Sequence, residues 1–154
     1  MRLAILVFMG LVLLGCQQEK PDYRNHGLVE VNSALKALQA IATGDTVRAA
    51  SIVRKAPMNK DIQRHMVDLL SKGDVEKPKE WLNNIIDLWI IVHCGDPNPD
   101  LYPTGATPEQ LAFLSDLARY RAKYPYSHGD TVVSDQIKRV LQAAETMKEG
   151  RRDF

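Results

Sequence analysis

Trp81-Leu82-Asn83-Asn84-Ile85-Ile86-Asp87-Leu88-Trp89-Ile90-Ile91-Val92 is the densest apolar stretch of the chain, and how it is read settles the architecture. The branched residues from Ile85 onward would suit a strand. Asn83, Asn84 and Asp87, however, gather on one side at helical spacing, where a strand would alternate. As a helix, its apolar surface wraps most of the way round, which predicts burial on several sides and a place at the centre of a bundle. Pro78 falls in the first turn, where a missing amide hydrogen costs little.

Helical spacing continues in both directions. Leu28, Val31, Leu35, Leu38 and Ile41 recur three or four apart from about His26, and Thr43-Gly44 closes that helix. Asp45 caps a second helix to about Ala56, with Val47, Ile52 and Val53 as its apolar members, and Pro57 stops it. A third runs from about Asn59 to Ser71, with Ile62, Met66, Leu69 and Leu70 on one face and Gly73 as terminator. Beyond Cys94, Gly95 to Ala106 contains three prolines and two glycines and reads as the longest loop. Thr107-Pro108-Glu109-Gln110 then has the form of a capping box. Leu111, Leu114, Leu117, Ala118 and Arg121 carry a fifth helix towards Tyr124-Pro125. After a turn at Ser127-His128-Gly129-Asp130, a sixth covers about Thr131 to Lys148, with Val133, Ile137, Val140, Leu141 and Ala144 as its buried face. Glu149 to Phe154 is a charged tail. The expectation is an all-α domain of about six helices over residues 26–148, either a compact bundle or a short stack.

At the other end, Met1-Arg2 precedes a run of apolar and small residues from Leu3 to Leu14, and Leu13-Leu14-Gly15-Cys16 ends it. Spanning the hydrocarbon takes roughly 20 apolar residues, and Gln17-Gln18-Glu19-Lys20 cuts the run short. The pattern resembles the signal of bacterial lipoproteins. That resemblance implies recognition through Leu13 and Gly15, removal of residues 1–15, and diacylglycerol with an N-acyl chain on Cys16. It implies no other cofactor. Gln17, rather than Asp, after the lipidated residue implies the outer membrane as destination. Residues 16–25, polar and containing Pro21, read as a tether.

A second, shorter resemblance is to the tetratricopeptide repeat. Gly44-Asp45, Ala49, Val53 and Ala56 stand at that family's offsets for the turn and for the residues packing its second helix. Gly73-Asp74 repeats the turn after 29 residues, against a family period of about 34.

Removing residues 1–15 from 154 leaves 139, and losing Arg2 brings Lys+Arg from 20 to 19 against 19 Asp+Glu, a formal charge of zero. No global field gathers nucleic acid or an anionic surface, so nucleic acid is excluded as a partner. Of the two cysteines, Cys16 would be alkylated. Cys94 is then left without an intramolecular partner and reads as a small buried apolar residue, with a reactive or intermolecularly paired thiol as the alternative.

Motifs for chemistry are incomplete. Asp96, Asn98 and Asp100 alternate as in a calcium loop, but Leu101 stands where glycine is needed and Thr107 where a bidentate glutamate is needed. His93 and Cys94 are neighbours on a helix and point about 100° apart, while His26, His65 and His128 lie on separate segments. No metal site is expected. No Gly-x-Ser-x-Gly pattern occurs, and Glu80, Glu109 and Asp116 read as solvated helix positions.

Tyr102, Tyr120, Arg121, Tyr124 and Tyr126 are the candidate partner surface, because tyrosine suits half-wet interfaces and Arg119, Arg121 and Lys123 add local positive charge. The expected role is a lipid-anchored periplasmic protein that binds another envelope protein as an accessory or assembly factor, and is not an enzyme. The alternatives are a protective lipoprotein against a toxin, phage or conjugating cell, and a cell-wall-active or thiol-dependent enzyme.

Overall fold

The computed structural model describes residues 25–94, 106–126 and 131–150, and among them there are six α-helices and no strand. They are α1 (Leu28–Ala42), α2 (Thr46–Lys55), α3 (Lys60–Ser71), α4 (Glu76–Cys94), α5 (Pro108–Lys123) and α6 (Thr131–Gly150). The expected lipoprotein signal and tether, up to residue 24, and the expected long loop, at 95–105, fall outside the described residues. Of the expected charged tail, Glu149 and Gly150 still belong to α6. Among the described residues, no helix is long and apolar enough to cross a membrane.

Helix ends follow from local chemistry. Asp45 accepts from the Arg48 amide at the start of α2, and Asn59 accepts from the Asp61 and Ile62 amides at the start of α3. Thr107 and Gln110 form the expected capping box on α5. α1 ends with the Gly44 amide on the Ile41 carbonyl and the Asp45 amide on Ala40, a Schellman closure with Gly44 at φ 79°. The second unit repeats it atom for atom, with Gly73 on Leu70 and Asp74 on Leu69. The two Gly-Asp turns are therefore the same motif.

The hairpins they close do not extend into a row. α1 packs on α2, α2 on α3, α3 on α4, and α4 comes back onto α1, closing a ring. α5 lies on α1, and α6 bridges α4 and α5. The domain is thus a closed bundle. Its core is filled from the ring by Val31, Leu38, Val53, Met66, Leu70, Leu82, Ile86 and Ile90, and from α5 and α6 by Phe113, Leu114, Leu117 and Val133.

Three expected faces are corrected. α4 is less enclosed than expected: it touches α1, α3 and α6, and α1 touches as many helices, yet α1 buries more of its length. α4 buries the side carrying Leu82, Ile86, Trp89 and Ile90 and leaves Leu88, Ile91 and Val92 in the open. On α2, Val47 is exposed, and alanines 49 and 50 flank Val53 against the neighbouring helices. On α3, Ile62 is exposed and Gln63 takes the buried place. The Gln63 side-chain amide shares its two hydrogens among the carbonyls of Val53 (2.8 Å), Arg54 (3.0 Å) and Ala56 (2.8 Å) at the end of α2, where Val53 and Ala56 also accept the Ala56 and Met58 amides. A polar residue belongs there because the neighbouring helix end demands it.

Candidate functional site

The tyrosine segment at the end of α5 is divided by the helix itself. Tyr120 and Tyr124, four apart, share a face with ring centroids 5.3 Å apart, and the Lys123 ammonium lies 5.3 Å from the Tyr124 ring centroid. Tyr120 is half-buried against the core, its hydroxyl 3.5 Å from the Leu38 carbonyl. Burial raises its hydroxyl pKa, helped by Tyr124 and opposed by Arg121.

Arg121 points the other way. Its guanidinium donates to Asp87 at 2.6 Å and to Asn83 at 3.1 Å, both on α4, and lies 5.6 Å from the Tyr126 ring centroid. The Arg121 and Asp87 side chains are only 13% and 15% exposed. This charge joins α4 to α5 and is not a free positive feature of the surface, which corrects its expected role. Tyr126 lies beside it, its hydroxyl 3.4 Å from the Asn84 side-chain oxygen. Burial raises the Tyr126 hydroxyl pKa first, with Asp87 and Glu80 adding to the effect and Arg121 opposing it. Of the five candidates, Tyr120 and Tyr124 share a face with Tyr120 packed partly against the core, Arg121 and Tyr126 contact α4, and Tyr102 lies outside the described residues.

A second constellation, not anticipated from the sequence, gathers at the opposite end of α1. The Trp89 indole donates to the His26 carbonyl at 2.8 Å, and the Thr107 hydroxyl donates to the Asn25 side-chain oxygen at 2.6 Å. Gly27 lies so close under the indole that a Cβ would stand 3.2 Å from Trp89 Cδ1. Trp89 also stacks on His93 (centroids 5.1 Å) and meets the edge of Phe113 (5.4 Å). Desolvation, then the nearby His26, lower the His93 pKa. The chain's entry into the body is thereby pinned to α4 and α5. The only sequence signal was Trp89 itself, whose polar N–H needs a partner when the ring is buried.

Cys94 closes α4 as a buried free thiol, and burial pushes its pKa up to about 11. Among the described residues, no three His, Cys, Asp or Glu side chains converge as metal ligands would. Because the thiolate is the reactive form, labelling of Cys94 by a disulfide reagent at pH 8 should be far slower in the native protein than in urea. Equal rates would show the sulfur to be accessible. The raised value also fixes a sign. Between pH 9.0 and about 11 the unfolded chain loses this proton first, so the contribution of Cys94 to stability falls as pH rises.

Compared with models of known protein families, with curated proteins and with solved structures, the chain matches none.

Proposed function

We propose that this chain is an outer-membrane lipoprotein whose helical body, facing the periplasm, binds another envelope protein as an accessory or assembly factor. The observation that carries the reading is the run Leu3 to Leu14 ending in Gly15-Cys16. The contact surface is Tyr124 with Lys123 and the open part of Tyr120, together with Tyr102. Rigid aromatic side chains beside a cation give such a surface contact area at small entropic cost. The competing thiol-enzyme reading has against it a sulfur that is buried and whose pKa burial raises.

Cells fed labelled palmitate should incorporate it into the wild-type chain and not into a Cys16→Ser variant. Affinity purification of the lipidated protein from membranes should retain a specific envelope protein. Tyr124→Ala should lose most of that partner while leaving the unfolding midpoint nearly unchanged, because this ring is only partly buried. Absence of label removes the anchor, and undiminished capture by Tyr124→Ala removes the proposed surface. A protective role is distinguished by deletion: it predicts a defect only under challenge by a toxin, phage or donor cell.

A further inference from the structure

The open face of α4 and the pinned entry of the chain lie at the same end of the body. Leu88 and Val92 are 63% and 67% exposed, and with Ile91 they occupy positions i, i+3 and i+4 on one side of the last turns of α4. α3 covers the beginning of that side, where His65 meets Trp81 with centroids 5.4 Å apart. At 12 residues against 19, α3 is outrun by the second half of α4. Val29, also exposed, stands in the first turn of α1, two residues from the Gly27 that lies under Trp89.

Asn25 and His26 are held to this end through Thr107 and Trp89. Nine residue steps separate Cys16 from Asn25, and at 3.3–3.6 Å per residue they reach at most about 32 Å. Resting on the lipid anchor proposed above, this length keeps the open face of α4 within about one bilayer thickness of the headgroups. A local concentration of that kind makes even a small apolar surface partition.

The geometry points to a second membrane contact: Leu88, Ile91 and Val92 dock on the lipid surface to which Cys16 is anchored. The body then lies with the end of α4 against the bilayer and the Gly44 turn away from it.

The test uses the full lipidated protein in phosphatidylethanolamine–phosphatidylglycerol vesicles, with a nitroxide at Ile91→Cys and, separately, at Val47→Cys. Val47 lies past the far end of α1, whose 15 residues span about 22 Å. Native Cys94 stays unlabelled because it is buried. Oxygen accessibility at residue 91 should rise several-fold in vesicles relative to the unlipidated Cys16→Ser chain in solution, while residue 47 stays in water. Adding Leu88→Asp and Val92→Asp, both at exposed positions, should return residue 91 to water with helicity unchanged. An acylated Cys16 in the mass spectrum with residue 91 still in water overturns the docking alone. So does dipolar broadening that shows a second copy on this face. An unmodified Cys16 overturns anchor and docking together.

Discussion

Arg121→Ala should destabilise the domain by about 4 kcal/mol, because it strands the Asp87 carboxylate where water reaches it poorly. The pair is largely enclosed and carries added hydrogen bonding from Asn83, so the discount due to exposed ion pairs does not apply. Deleting one partner removes the attraction and leaves the desolvation cost in place. A double replacement, Arg121→Met with Asp87→Leu, removes both charges and should recover most of the loss. Urea unfolding of the wild type, Arg121→Met, Asp87→Leu and the double variant closes a thermodynamic cycle and gives the coupling directly. A loss below about 1 kcal/mol for Arg121→Ala would place the pair in the surface class instead. The midpoint of thermal unfolding should fall by roughly 10 °C or more for the single variant.

Gln63→Leu should cost about 3 kcal/mol, although leucine is the more apolar residue at a buried position. The substitution keeps the volume and deletes the donor that serves three carbonyls at the end of α2. The Val53 and Ala56 carbonyls keep a backbone amide, but each loses its second bond and the Arg54 carbonyl loses this donor at the packed α2–α3 corner. The damage should therefore be local as well as global: amide exchange should accelerate first around Val53 to Met66. If Gln63→Leu proves neutral or stabilising, the carbonyls find water and the amide is not their necessary partner.

These two sites show what the sequence conceals. Helix number and ends were legible because they are written in short-range chemistry, as at Asp45, Thr107 with Gln110, and the Gly-Asp turns. Which side of each helix faces inward was legible only where the apolar stripe was unambiguous, as on α1. On α3 the choice between Ile62 and Gln63 depends on the neighbouring helix end, which no local window contains. On α4 the continuous apolar surface suggested enclosure, yet the length of α3 decides what is covered. Arg121 carried a clue, since it stood on the spacing of Leu114 and Leu117, where a charge must find an internal partner. The identity of that partner, 34 residues away, was not available from spacing.

Because α4 closes back on α1, the start of α1 is completed late. The His26 carbonyl waits for an indole 63 residues downstream, and Asn25 for a hydroxyl 82 residues downstream. Such long-range closure couples the beginning of the chain to its middle, favouring one cooperative transition over a succession of independent hairpins. A nascent chain shorter than about 107 residues thus lacks the parts that seat its first helix, so the first helix is locked in place only when the fifth has been made.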